Sequence, residues 1–167
     1  MKNDRIILTI NCGSSSLKYL LFNWDQKTCI ASGMVERIGL SNSIIKQNSP
    51  GQEAISRVVE CPEHNTAIKL VMQMLTQGNS KVINDVKDIS AVGHRVVHGA
   101  ERFTKSVEID GLNGEVLTAL KDISPLAPLH NPANIIGIEA SIPILPDIPH
   151  IAVMDTAFHQ TMPKTSY

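Results

Sequence analysis

The sequence predicts an α/β fold: a mixed sheet with three antiparallel leading strands and flanking helices. Three observations predict it. A short aliphatic run, Ile6 to Ile10, is too brief for a helix. A Gly-Ser turn then leads into a second, alternating apolar segment. From His64 onward, helical spacing and short apolar runs take turns.

Ile6, Ile7, Leu8, Thr9 and Ile10 are β-branched or aliphatic and read as a buried strand. Leu17, Tyr19, Leu21 and Asn23 alternate with Lys18, Leu20 and Phe22, the pattern of a hairpin returning along the same sheet. A third strand covers Thr28 to Ile38, with Gly33 as a bulge inside it and Gly39 closing it. The polar stretch Ser41 to Pro62, punctuated by Pro50-Gly51, holds a short irregular strand pair, Ile44 to Gln47 and Ile55 to Val59. In His64 to Gln77, Ile68, Val71, Met72 and Leu75 recur at helical spacing and Gly78-Asn79 is the stop. Ile89 to Val97 is nearly continuous in apolar residues, as in a parallel strand buried on both faces, and Gly93-His94-Arg95 interrupts it. Leu112 to Lys121 reads as a helix through Val116, Leu117 and Leu120. Asn131-Pro132 starts another, with Asn as cap and Pro in the first turn, running to about Ser141. The last strand, Ile151 to Met154, ends at Asp155.

Composition sets outer limits. The 167 residues suffice for one domain with a real core. With 15 Lys+Arg against 16 Asp+Glu, no basic excess exists to neutralise a nucleic-acid backbone. No apolar run approaches the roughly 18 residues of a membrane span, and Asp4 with the short run after it argues against a secretory signal. Cys12, Cys29 and Cys61 are odd in number and lack zinc-ligand spacing, so reduced thiols and a cytoplasmic location are expected.

The chemistry concentrates at strand ends. In Asn11-Cys12-Gly13-Ser14-Ser15-Ser16-Leu17-Lys18, glycine permits close backbone approach, serine hydroxyls donate, and Lys18 adds a point charge, all suited to a phosphoryl group. Asn11 offers an amide oxygen to a hydrated Mg²⁺. The spacing is not that of a Walker loop, and a strand follows instead of a helix. Ligands of open α/β sheets gather at carboxyl ends of strands. Two more polar clusters lie there, His94-Arg95-Val96-Val97-His98-Gly99 and Asp155-Thr156-Ala157-Phe158-His159, and the loop at His130-Asn131 can join them. Together they suggest a phosphoryl-transfer site, where positioning and charge stabilisation dominate. Plainer readings exist: a structural salt bridge for Arg95, a turn cap for Asp155, helix-entry bonding for His130, and core positions for Val97 and Leu129. His94 and His98 lack the Glu of a zinc hydrolase, which speaks against a metal pair.

Four motifs in this order, NCGSSSLK, GHRVVHG, APLHNP and MDTAFHQTMP, resemble the N-terminal half of the acetate kinase family, across essentially the whole chain. The resemblance implies a ribonuclease-H-like, actin-like ATPase domain over residues 1–155, with 156–167 beginning the connection to a second domain. It implies reversible phosphoryl transfer between ATP and acetate, giving acetyl phosphate and ADP, with Mg²⁺ or alternatively Mn²⁺. It places Asn11 at the metal, Lys18, Ser14 and Ser16 at the nucleotide phosphates, and Arg95 on the substrate carboxylate or acyl phosphate. Val97 and Leu129 fall at the pocket for the acetate methyl, Asp155 at the catalytic carboxylate, and His130 beside the transferring phosphoryl group. A homodimer is implied for the full family member. Propionate kinase is a near relative, and a non-catalytic binding module is the competing class.

Two small departures stand out: Cys12 replaces a small apolar residue, and Ala100 follows Gly99 where a second Gly is frequent. The sequence ends at Tyr167, before the family's Gly-Phe-His-Gly motif and second α/β domain. That half supplies most of the nucleotide pocket and a second arginine, so these residues alone are expected to be inactive.

Overall fold

Residues two apart along the first strand, Leu8, Ile10 and Cys12, are all buried, and this period sets the two faces of the sheet. The computed structural model describes residues 4–157 together with Met162, Pro163 and Thr165. Five strands form an antiparallel meander: β1 (Ile6–Cys12), β2 (Ser16–Asn23), β3 (Thr28–Glu36), β4 (Ser43–Asn48) and β5 (Ile55–Val59). After helix α1 (His64–Thr76), strand β6 (Ile89–Val96) joins the other side of β1 in parallel. The two-residue β7 (Val107–Glu108) precedes helices α2 (Glu115–Ile123) and α3 (Asn131–Ser141). Finally β8 (His150–Met154) pairs parallel to β6 and antiparallel to β7. The eight strands lie in the order β5-β4-β3-β2-β1-β6-β8-β7.

Leu8, Ile10, Leu17, Tyr19, Leu21 and Val92 pack with Ile68, Val71 and Leu75 of α1, while Val96, Ala152 and Met154 pack with Leu117, Leu120, Ile135 and Ile138 of α2 and α3. The opposite face shows Thr9, Lys18, Leu20, Arg95 and Val153. No helix among the described residues is long and apolar enough to cross a membrane.

The leading strands, the parallel direction of β6 and the three helices match the sequence reading, but β6 is buried on one face instead of both: Ser90 and Arg95 are exposed, because no helix among the described residues covers that side of the sheet. The other differences have local causes. The pair β4–β5 is regular, because Ser43 and Gln47 are buried polar residues that stand in for apolar ones. The Ser43 hydroxyl donates to the carbonyls of Arg37 and Leu40, and Gln47 accepts from the Tyr19 hydroxyl (2.9 Å) while donating to the Ser80 carbonyl (2.6 Å). Gly33 is not the bulge: it pairs in register with Tyr19, and a Cβ there would lie 2.5 Å from the Tyr19 hydroxyl oxygen and 2.2 Å from the Lys46 carbonyl oxygen. The irregularity falls between Leu21 and Phe22. β3 stops at Glu36 because Arg37 turns left-handed at φ 61°. Helix α2 starts at Glu115, later than expected, because the Asp110 carboxylate accepts from the N–H groups of Glu115 and Val116 at 2.7 and 3.1 Å. In α3 the cap position is His130, and Asn131 is already helical, its side chain committed elsewhere. Of the expected connecting segment 156–167, residues 158–161, 164, 166 and 167 lie outside the described residues.

Beneath the open face, His94 and His150 form a buried pair. His150 Nε2 donates to the Leu145 carbonyl at 3.1 Å, so its Nδ1 accepts from His94 Nε2 at 2.9 Å. Burial, reinforced by His150, pushes His94 down to about 3, and burial lowers His150 as well, against the raising influence of the Leu145 carbonyl. Unfolded histidines titrate near about 6.5, so below that pH the unfolded chain gains protons that the folded one refuses. The histidine contribution to stability is therefore flat above about pH 6.5 and falls toward pH 3, by up to about 1.4 kcal/mol per pH unit for His94. Urea denaturation should show this slope from about pH 6.5 to 5, above most carboxylate titrations, and a folded His94→Gln variant should have a shallower slope by the His94 share, keeping that of His150.

Candidate active site

Three strand ends and one helix build the site. Asn11 and Lys18 face each other across β1 and β2. Between them Gly13 N–H donates to the Ser16 carbonyl at 2.8 Å and closes the turn. Three further carbonyls are held from outside the turn: Cys12 by Asn134 Nδ2 at 2.7 Å, Gly13 by His64 Nε2 at 2.8 Å, and Ser15 by Ile38 N–H at 2.9 Å. The N–H groups of Ser14 and Ser15 take no backbone partner among the described residues. With the exposed Ser14 and the half-buried Ser16, they leave a turn rich in donors, the arrangement that receives an anion.

Arg95 leaves β6 on the open face opposite Val153 of β8, and Asp155 follows two residues later on the same face. Arg95 Nε lies 3.1 and 3.0 Å from the two Asp155 oxygens, and Nη2 lies 2.7 Å from Oδ2. The hydrogen bonds to Asp155 raise the Arg95 pKa above its already high value, against a small cost of burial, so the guanidinium is always charged. A groove of about 360 Å³ is lined by Thr9, Asn11, Lys18, Leu20, Arg95 and Val153, among others. Asn11, Lys18 and Arg95 thus converge on one cavity, and Asp155 joins them through Arg95. Ser14 and Ser16 sit on the adjoining turn. Val97, Leu129 and His130 are not among the groove's lining residues: Leu129 is 83% exposed, and His130 is exposed at the start of α3.

The residues that hold this arrangement together escape a motif search. Asn131 is fully buried, accepts from His98 N–H at 3.1 Å and donates back to the His98 carbonyl at 2.9 Å. Asn134 joins Cys12 to Val97, whose N–H it accepts at 3.2 Å. A Cβ on Gly137 would lie 2.3 Å from Cys12 Sγ. Burial pushes the Cys12 thiol up to about 12, so Cys12 serves as a small apolar surface for α3. Spacing of three along one helix face was the available signal, a polar and small stripe where apolar residues would be expected. Ala100 takes φ 50°, a left-handed conformation that favours glycine. Gly99 before it donates to Thr156 Oγ1 at 3.0 Å, tying the end of β6 to the segment after β8.

No cluster of three or more His, Cys, Asp or Glu forms a metal cage among the described residues. Asn11 and Asp155 offer hard oxygen donors, which suit Mg²⁺, an ion that uses one or two protein ligands and otherwise keeps water or phosphate oxygens.

A family model described as the acetokinase family matches residues 6–167. The acetate kinase of Geobacter metallireducens is 54% identical over 97% of this chain and 38% of its own length. That of Treponema pallidum is 48% identical over 97% of this chain and 36% of its own. Among solved structures, an acetate kinase from Porphyromonas gingivalis superposes with TM-score 0.89 and 42% identity over 96% of this chain and 40% of that one. A propionate kinase from Francisella tularensis gives TM-score 0.83 and 37% identity over 96% and 39%. The sheet is that of the actin-like ATPase fold of these neighbours. The chain spans about two fifths of the length of the curated relatives it matches.

Two stability outcomes follow from the packing. Gly137→Ala should cost about 1–3 kcal/mol, read as a lower midpoint in urea, because α3 must move off Cys12. Asp155→Ala should change stability by less than about 1 kcal/mol in the same titration, since both partners of its ion pair are half-exposed.

Proposed function

The chain belongs to the acetokinase family, and from that premise we propose that it is the N-terminal part of a kinase moving a phosphoryl group reversibly between ATP and acetate. The observation that carries this reading is the Arg95–Asp155 fork beside Asn11 and Lys18. A guanidinium that already grips one carboxylate has the geometry to grip another. Asp155 takes Nε and Nη2, which leaves the Nη1 edge for substrate carboxylate or acyl phosphate.

In the forward direction an acetate oxygen attacks the γ-phosphorus, the bond from that phosphorus to the bridging oxygen breaks, and ADP leaves with the electron pair. Acetate is already an anion near neutral pH, so its attack needs no proton removal. Arg95 orients it and offsets its charge, while Lys18 and the donors at Ser14 and Ser16 receive the phosphates. Asp155 holds Arg95 in place on the groove side. Asn11 and Asp155 would hold Mg²⁺, which when bound shields the phosphate charges; Mn²⁺ is the alternative ion. His130 is assigned to the transferring phosphoryl group and Val97 and Leu129 to the acetate methyl, in a pocket that residues beyond these 167 must close. The same reading divides the chain at residue 155 and includes a cytoplasmic homodimer for the whole enzyme.

Such a transition state needs charge stabilisation from both sides of a water-free cleft. A hydroxamate assay for acyl phosphate, with ATP, Mg²⁺ and acetate or propionate, tests this on the present chain and on a version extended to the next stop codon. The extended protein should form acyl phosphate, Arg95→Ala should lower its kcat/KM about 10- to 100-fold, and the present chain should not exceed its Asp155→Ala variant. Turnover by the present chain would overturn the division of labour. Silence in the extended protein would favour a non-catalytic module.

A further inference from the structure

The ladder between β1 and β6 ends at the pair Ile10 and His94. Every candidate group on these two strands lies beyond that point: Asn11 and the Ser turn on one, Arg95 and Val97 on the other. Past that point, among the described residues, β1 is paired only with β2 and β6 only with β8, so no direct backbone pairing joins the Cys12 end of β1 to the Val97 end of β6. One side chain spans the gap. Asn134, 4% exposed in α3, donates from Nδ2 to the Cys12 carbonyl at 2.7 Å and accepts from Val97 N–H at Oδ1, 3.2 Å away. The amide can face only one way, because Cys12 presents an acceptor and Val97 a donor.

We infer that Asn134 is a positioning residue, a planar spacer that fixes the phosphate turn of β1 against Arg95 of β6. The inference rests on the phosphoryl-transfer reading above for its consequence in catalysis, while the spacer itself is a matter of geometry. Asn134 touches no reacting atom in this scheme. It acts through Cys12, next to Asn11, and through Val97, two residues from Arg95. The neighbouring brace at His64 steadies the Gly13 carbonyl but reaches only one strand, so it cannot set the separation.

Two measurements test it. In the extended protein, Asn134→Asp keeps the side-chain volume and the acceptor for Val97 but sets an acceptor against the Cys12 carbonyl, and Asn134→Ala removes both bonds. Each should lower kcat at least about 10-fold per folded molecule, with KM for ATP and acetate within about 3-fold, the signature of misaligned groups. A purely structural role would lower the folded fraction and leave kcat per folded molecule unchanged, which would overturn the inference. Amide hydrogen exchange on the present chain needs no activity. The Val97 N–H should exchange at least about 10-fold faster in Asn134→Ala while amides of the β2–β3 ladder keep their protection. Unchanged Val97 protection overturns the spacer, and so does loss of folding in both variants, since a spacer leaves the core intact. If the extended wild type forms no acyl phosphate, the kinase reading fails, and the exchange result alone decides the spacer.

Discussion

The docking of α3 onto the ends of β1 and β6 is the contact on which the remaining geometry depends. Asn131, Asn134 and Gly137 fall three apart along one edge of the helix, and each meets a different part of the site: the His98 backbone, the Cys12–Val97 gap, and the Cys12 side chain. Burying two amides in a helix face costs free energy unless every polar atom finds a partner. Here both do so on backbone groups that lie past the end of the β1–β6 ladder. The helix thereby supplies hydrogen bonds where the β1–β6 ladder has ended. Gly137 is part of the same device, because any Cβ there would lift the helix away from Cys12 and stretch the amide bridges.

The sheet divides the molecule chemically. All three helices cover one face with aliphatic side chains, and the other face carries the charged and polar groups beside Leu20 and Val153. Arg95 and His94 are neighbours in sequence on opposite sides of that divide. Arg95 keeps a half-exposed ion pair with Asp155, while His94 is held neutral in the core by burial and by His150. A half-exposed ion pair contributes little to stability, so the Arg95–Asp155 fork is not what fastens the two strands together. The core beneath it supplies the rigidity: β6 is flanked by β1 and β8, and its buried histidine is tied through His150 to the Leu145 carbonyl.

Much of the fold was legible because its signals are local. The alternation in β1 and β2, the helical spacing of Ile68, Val71 and Leu75, and the Asn131-Pro132 helix start all work over a few residues. What was misread depends on partners far away in sequence. The β4–β5 pair looks irregular in a polar stretch until Arg37, Tyr19 and Ser80 satisfy Ser43 and Gln47 in the core. Gly33 resembles a bulge until the Tyr19 ring crosses over it. Asp110 caps a helix that begins five residues later, outside the usual capping interval. The site divides the same way. Arg95 and Asp155 were visible as charged residues at strand ends, whereas Asn134, His64 and Gly137 carry no chemical motif, and their roles exist only in three dimensions.

That division has a physical reason. Groups that meet a ligand must be polar and near the surface, so they stand out against apolar strands. Groups that position them must be buried and satisfied, so they read as ordinary helix or core residues. The Cys12–Gly13 segment shows both kinds within two residues. Its carbonyls point inward to Asn134 and His64, and the amides that follow, at Ser14 and Ser15, are left without backbone partners. Holding the Cys12 and Gly13 carbonyls inward fixes the peptide planes that lead into these N–H groups, because a buried carbonyl left unpaired would cost about 1–3 kcal/mol. The donor-rich turn is therefore a consequence of the helix side chains behind it. Its anion-receiving character belongs as much to α1 and α3 as to the glycine and serines that first draw the eye.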